Sequence, residues 1–168
     1  MIKLANFFVS LSFAGYIKLI PSGTFASFLS IVILFPIVEY KIISLEIFII
    51  VFIVIFLLSL FFINKFSAHT RSHDSKIIVI DEFLGVYLIL IFYDQIKIIN
   101  PYVTIMLIFI LFRFFDILKI FPANIVDRRL KSAFGVILDD LIAGIYTIII
   151  LYIAVSYTHL TLPTTVIV

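Results

Sequence analysis

The chain alternates between long apolar runs and short polar breaks. The run Phe25 to Val38, extended back through Ser22, reaches about 17 residues, the lower limit for a membrane span. Glu39, Tyr40 and Lys41 then form a polar turn. Leu45 to Ile63 is the cleanest span, about 19 residues or about 28 Å of helix. A polar loop is predicted from Asn64 to Lys76. Ile77 to Tyr93 is apolar again, except for Asp81 and Glu82 near its start. After a turn to Pro101, Tyr102 to Phe115 forms the next span, bordered by Arg113 and Asp116. A basic loop runs to about Ser132, and Phe134 to Val155 is the last span, with Asp139 and Asp140 in its second turn. The many β-branched residues would suit strands, but strands run about 4–8 residues and these runs are more than twice that. An open sheet edge in lipid would also leave backbone groups unpaired. The pattern therefore predicts an all-α fold: a polytopic integral membrane helical bundle of about four spans plus an N-terminal interfacial helix.

Composition agrees. Hydrophobic residues make up 64% and charged residues 13%, with mean hydropathy +1.33; soluble domains run near 45–50% and about 25%. The N-terminal stretch MIKLANFFVSLSFAGYIKLIPSG superficially resembles a signal peptide, but no clean A-x-A site follows and further spans come after it. It reads as a retained helix at, or partly in, the membrane surface. Cysteine is absent, which excludes disulfides and thiolate metal sites. The net charge of +2 is too small to argue for a nucleic-acid partner.

Charge matters through its placement. With the spans alternating, all of the 12 Lys and Arg residues except Lys41 and Lys97 fall on one side of the membrane. The positive-inside rule makes that side cytoplasmic. The acids follow the same split: Asp74, Asp81, Glu82, Asp116, Asp127, Asp139 and Asp140 share the basic side, and Glu39, Glu46 and Asp94 lie opposite. A charge at a bilayer centre costs roughly 2.5–3.5 kcal/mol on insertion scales, so acids bordering apolar spans are candidates for function.

The stretch Phe112 to Gly144 gathers most of this chemistry, and it contains an internal echo. Val79-Ile80-Asp81-Glu82-Phe83-Leu84-Gly85 resembles Ile137-Leu138-Asp139-Asp140-Leu141-Ile142-Ala143. Each carries an acidic pair near the cytoplasmic start of a span and a small residue one turn on, with Gly144 one turn from Asp140. Small residues let helices approach closely in membranes, so the two helices are expected to pack tightly and face their acids together. Two facing acidic pairs suit a hard divalent cation such as Mg²⁺, which takes carboxylate oxygens, waters and substrate phosphate. Asp81, Glu82, Asp139 and Asp140 are the candidate metal ligands, with Asp116 and Asp74 behind them; the competing reading is salt bridges to Arg113, Lys119 and Arg128.

Arg113, Asp116 and Lys119 are spaced by three and, if helical, lie along one side. Arg binds phosphate bidentately and Lys as a point charge. Arg128 beside Asp127 offers the same chemistry, whereas Arg129 and Lys131 read as topology-setting loop charges. Pro21-Ser22-Gly23-Thr24 either presents backbone N–H groups to an anion or is a simple N-cap. His73-Asp74 is a candidate general acid or metal ligand, and His69 reads as a solvated loop residue. From Ser156 the chain becomes Thr-rich and non-periodic; SYTHLTLPTTVIV resembles an adapter read-through tail, so 156–168, including His159, is expected to be non-native and without function.

Four ordered motifs carry a resemblance: PSGTFASF at 21–28, HDSKIIVIDEFLG at 73–85, FRFFDILKIFP at 112–122 and DRRLKSAFGVILDDLIAG at 127–144. Over residues 1–155 the chain resembles the phosphatidylglycerophosphatase A family. The resemblance implies a largely helical protein of the bacterial inner (cytoplasmic) membrane. It implies Mg²⁺-dependent hydrolysis of the terminal phosphate of phosphatidylglycerophosphate, giving phosphatidylglycerol, with the site facing the cytoplasm. It implies catalytic roles for Asp81, Glu82, Asp116, Asp139, Asp140 and His73, and phosphate binding by Arg113, Lys119, Arg128, Gly23 and Thr24. The lipid bilayer is the other expected partner, and no motif fixes an oligomeric state. Two departures stand out: Ser22 separates Pro21 from Gly23 where the family usually reads PGT, and Ser132-Ala133 replaces a common Gly-Gly.

A CDP-alcohol phosphotransferase is rejected because the opening Asp-Gly and last Asp of its motif are missing. A small ion transporter using embedded acids is the alternative; its acids should connect both faces, whereas these gather at one. A purely structural subunit leaves the acid pairs inside spans unexplained.

Overall fold

The computed structural model describes residues 2–12, 14–16, 21–70, 77–98, 100–130 and 132–161. Every element there is helical: α1 (Ile2–Val9), a short 3-10 turn (Ala14–Tyr16), α2 (Ser22–Glu39), α3 (Leu45–Thr70), α4 (Ile80–Ile91), α5 (Tyr93–Ile96), α6 (Pro101–Leu118), α7 (Ala123–Arg129) and α8 (Ala133–Thr161). Four of them, α2, α3, α6 and α8, are long and apolar enough to cross a membrane, so the protein is an all-α polytopic membrane bundle as its sequence predicts. On α3, Ile47, Ile50, Ile53, Val54, Leu57, Leu58 and Phe61 remain exposed. Such a stripe is costly in water but natural against lipid.

The run from Ile77 to Tyr93 behaves differently from the other apolar segments. Its helix α4 has only 12 residues, about 18 Å at 1.5 Å each, short of a hydrocarbon thickness of about 30 Å. It does not meet lipid over most of its surface. Ile80, Phe83, Leu84, Gly85, Val86, Tyr87, Ile89 and Leu90 are all buried, and α4 packs against α2, α3, α6 and α8. Apolar on all sides beyond its acidic first turn, α4 is thus the centre of the bundle. The backbone before it is satisfied by the N-terminus, where the Val79 N–H donates to the Val9 carbonyl at 3.0 Å. Gly15 permits this approach, since a Cβ there would lie 2.3 Å from the Ile77 carbonyl oxygen. The N-terminal segment is therefore a folded part of the bundle, with α1 packed on α3.

Helix α3 continues past Ile63 through the stretch expected to be loop, and ends at Thr70. Its extension has Phe66 and Ser67 buried while Asn64 is exposed, an amphipathic stripe covered by α1 that keeps the chain helical. Helix α6 starts where its caps dictate: Asn100 Oδ1 accepts from the backbone N–H of Tyr102 (2.9 Å) and Val103 (3.4 Å), with Pro101 in the first turn.

Helices α4 and α8 cross at their glycines. A Cβ on Gly85 would lie 3.0 Å from the Asp140 carbonyl oxygen and 2.6 Å from the Phe112 ring, and a Cβ on Gly144 would lie 3.0 Å from the Gly85 carbonyl oxygen. The close packing expected from the small residues is present, and it brings Asp140 of α8 to Asp81 and Glu82 of α4. At the far end of the bundle, Lys97 Nζ donates to both carboxylate oxygens of Glu39 (2.9 and 2.8 Å), and the buried Tyr93 hydroxyl donates to Glu39 Oε2 (2.7 Å). This links the end of α2 to α5.

Candidate active site

The acidic pairs of α4 and α8 have the same local geometry. Asp81 Oδ1 accepts from the Glu82 N–H at 3.1 Å, and Asp139 Oδ1 accepts from the Asp140 N–H at 3.2 Å. In each pair the first carboxylate is steadied by the backbone of the second. Asp81, Glu82 and Asp140 converge: each offers a carboxylate oxygen, and these oxygens lie within 4.8 Å of one another. Asp140 is buried and the other two half-buried. Carboxylates this close, away from bulk water, repel strongly. Glu82 Oε2 is moreover buried with no hydrogen-bond partner, a costly state for a carboxylate oxygen. A hard cation satisfies both conditions, so these residues fit Mg²⁺ by charge, donor type and an unused buried oxygen.

Asp139, grouped with them from the sequence, faces elsewhere. Its Oδ2 accepts from Lys119 Nζ at 2.7 Å, with the two side chains 10% and 33% exposed. Lys119 itself has left the helical register. Helix α6 ends at Leu118, and Lys119 is its C-cap in the left-handed conformation, φ 43° and ψ 57°. The spacing of three that joins Arg113 to Asp116 therefore does not extend to Lys119, which the turn swings toward α8. For a residue with a Cβ this backbone costs about 1–2 kcal/mol.

Arg113 and Asp116 do share a face of α6, and Arg113 Nη1 donates to Asp116 Oδ2, both side chains being 14% exposed. Arg113 Nε is buried without a partner. The same Nη1 lies 3.5 Å from Ser27 Oγ, which in turn donates to the Gly23 carbonyl at 2.8 Å. Ser27 is fully buried and was not singled out in the sequence; its place one turn after Gly23, as a small polar residue in an apolar run, is the signal that marks it. Gly23 forms a notch at the start of α2. A Cβ there would lie 2.1 Å from Glu82 Oε1 and 3.2 Å from Arg113 Nη1. The N-cap position of α2 is Pro21, which makes no side-chain cap hydrogen bond. The nearest anion to Gly23 is the protein's own Glu82. Thr24 lies half-buried in the same turn.

The Phe112–Gly144 stretch thus meets α2 and α4 around one acidic and basic cluster. His73 and Asp74 lie outside the described residues. Asp127 and Arg128 belong to α7, but their side chains lie outside the described part.

The pattern of the family described as Phosphatidylglycerophosphatase A matches residues 7–155. The chain is 35% identical over 121 residues to the phosphatidylglycerophosphatase A of Haemophilus influenzae (strain ATCC 51907 / DSM 11121 / KW20 / Rd), an alignment covering 72% of this chain and 71% of that protein. The chain belongs to the phosphatidylglycerophosphatase A family. It is also 32% identical over 80 residues to the phosphatidylglycerophosphatase A of Escherichia coli (strain K12), covering 48% of this chain and 44% of that protein. No solved structure matches it.

The places where this member departs from the usual family motifs have local structural answers. Ser132 Oγ accepts from the Gly135 N–H at 3.2 Å, so the serine caps α8. Ala133 is buried. Gly135 is the glycine this turn requires, because a Cβ there would lie 1.8 Å from the Leu130 carbonyl oxygen. Ser22 opens α2 one residue before the Gly23 notch, so the insertion leaves that glycine against Glu82.

Proposed function

We infer that this chain, a phosphatidylglycerophosphatase by family, removes the terminal phosphate of phosphatidylglycerophosphate. Water adds to phosphorus, the P–O ester bond breaks, and the products are inorganic phosphate and phosphatidylglycerol. The observation that supports this most is the convergence of Asp81, Glu82 and Asp140 within 4.8 Å, with Arg113 and Lys119 on the adjoining helix end.

Asp81, Glu82 and Asp140 would hold Mg²⁺, with Asp139 next to them on α8. Bound there, the ion supplies Lewis-acid polarisation of a phosphate oxygen and a more acidic water. The protein's own groups do the rest. Arg113 is fixed by Asp116 and Ser27, and so presents its guanidinium without an ordering cost. It neutralises charge as the phosphoryl group transfers. Lys119, paired with Asp139, adds an ammonium, and Arg128 and Thr24 remain candidates beside the phosphate. His73 is a candidate proton donor to the leaving oxygen. The substrate would enter sideways, with acyl chains in the bilayer and phosphate at the interface. The one-sided distribution of basic residues supports a cytoplasmic-facing site, and the bacterial relatives support an inner-membrane location. The residues assigned here all lie within 1–155, leaving 156–168 without a role. The far end of the bundle is tied by Glu39, Lys97 and Tyr93, which supports a one-faced hydrolytic site over a path for ions.

The test is phosphate release by the purified protein from phosphatidylglycerophosphate in mixed micelles. Release is expected with Mg²⁺, and is expected to stop with EDTA and in Asp81→Asn and Asp140→Asn. Release that is indifferent to EDTA would overturn the cation site. No release from folded wild-type protein would overturn the activity.

A further inference from the structure

The connection that leaves α6 carries basic residues, as a loop outside the membrane does, but its surface is that of a segment in lipid. Ile117 (69% exposed), Leu118, Ile120 and Phe121 (66% exposed) all turn their side chains outward. A contiguous apolar patch of this kind is costly in water and marks a surface that something apolar covers.

Tertiary contacts hold this turn against the span α8. The Phe121 carbonyl accepts from the Tyr146 hydroxyl, and the Tyr146 ring packs on Phe115 with centroids 5.4 Å apart. Tyr146 lies about 20 Å along α8 from Ala133 and about 9 Å beyond Asp140, at 1.5 Å per residue. A helical side chain leans back toward its own N-terminus, so the Tyr146 hydroxyl holds the turn beside the acids of the site rather than out past the end of the bundle.

The two described cations of α6 border the same patch. Ile117 follows Arg113 by four residues and so neighbours it on the helix surface. Lys119, which reaches Asp139, stands between Leu118 and Ile120. An apolar surface bordered by a guanidinium and an ammonium complements an anionic amphiphile: chains on the patch, phosphate toward the cations. A zwitterionic bilayer lipid matches only the apolar part.

We propose that the turn Ile117 to Phe121 is the acyl-chain platform of the site: the chains of the lipid phosphate monoester lie across Ile117, Leu118, Ile120 and Phe121 while its phosphate meets the cations. This rests on the phosphatase reading of the site. The turn then selects the substrate, because a phosphate ester without long chains forgoes the binding energy that the patch supplies.

The experiment compares phosphate release from long-chain phosphatidylglycerophosphate in mixed micelles with release from its short-chain analogue dissolved as monomer. It uses the full chain in detergent with MgCl₂. Phe121→Ser and Ile117→Ser are expected to lower kcat/KM on the long-chain substrate roughly tenfold, through KM, and to leave the short-chain rate unchanged. Ile53→Ser, on the exposed apolar face of α3, is the control and is expected to change neither. Equal losses on both substrates would show that the turn only supports the fold of the site, and would overturn the platform. No change on either substrate, or the same long-chain loss in Ile53→Ser, would reduce the turn to ordinary bilayer contact and overturn it as well.

A second measurement does not depend on turnover. Phosphatidylglycerophosphate carrying a diazirine in one acyl chain is photo-crosslinked to the protein, and the labelled residues are mapped. Labelling within 117–121 is expected to fall with excess unlabelled phosphatidylglycerophosphate and to persist with phosphatidylcholine of the same chains. Equal competition by both lipids would overturn the platform. Selective labelling without phosphate release sinks the hydrolase reading alone, whereas release with neither chain dependence nor selective labelling sinks the platform alone.

Discussion

Gly23→Ala separates the chemistry of the site from the stability of the fold. The added Cβ would lie 2.1 Å from Glu82 Oε1, about 0.9 Å inside the 3.0 Å that real Cβ atoms respect. The atom in the way is the end of a flexible side chain, so relief comes from Glu82 rather than from the helices. Its carboxylate must shift by about 1 Å, out of the group it forms with Asp81 and Asp140. Alanine in the first turn of α2 also gains about 0.5–1 kcal/mol of backbone preference over glycine, which offsets the lost contact. Net stability should therefore stay within about 1 kcal/mol of wild type. Activity should not, since a misplacement of about 1 Å in a catalytic group costs on the order of 100-fold. The assay pairs a thermal melt in detergent with Mg²⁺-dependent phosphate release. Wild-type turnover in a folded Gly23→Ala protein would show that Glu82 does not act from its place against Gly23. A collapse of the melting temperature would show that the notch is rigid, and the reasoning would fail on the other side.

Gly135→Ala should do the reverse: its Cβ would meet the Leu130 carbonyl oxygen at 1.8 Å, backbone against backbone, so a loss of about 1–3 kcal/mol or more is expected in the melt. Gly85→Ala should destabilise more than Gly144→Ala, because it adds contacts of 2.6 and 2.7 Å with the Phe112 ring to a 3.0 Å backbone contact, whereas Gly144 meets only one atom closer than 3.5 Å; comparative melts decide it. Lys97→Met, at the far end, should lower stability by about 1 kcal/mol and leave phosphate release per folded protein unchanged; a loss of turnover would mean that the two ends of the bundle are coupled.

Much of this architecture is legible from residue order. A bilayer demands long apolar helices with internally paired backbones, so hydropathy alone predicts an all-α bundle. Acids inside such runs are costly, so Asp81, Glu82, Asp139 and Asp140 stand out before any coordinates exist. Gly85 and Gly144, each one turn from an acid, announce the crossing that joins α4 to α8.

The remaining features depend on which way each helix is turned and what it meets. Consecutive residues on a helix point about 100° apart, so the two members of an acidic pair need not share a partner, although Asp81 and Glu82 both reach Asp140. That is why Asp140 joins Asp81 and Glu82 while Asp139 turns to Lys119. Hydropathy scores Ile77 to Tyr93 like the other spans, because it cannot distinguish lipid from protein as the apolar surroundings; only packing makes α4 the short central helix. Regular spacing placed Lys119 with Arg113 and Asp116, and the left-handed end of α6 took it away. Ser27 acquires its link to Arg113 only because α2 and α6 meet there. Sequence determined which groups had to leave lipid; the crossing angles and helix ends decided which of them touch.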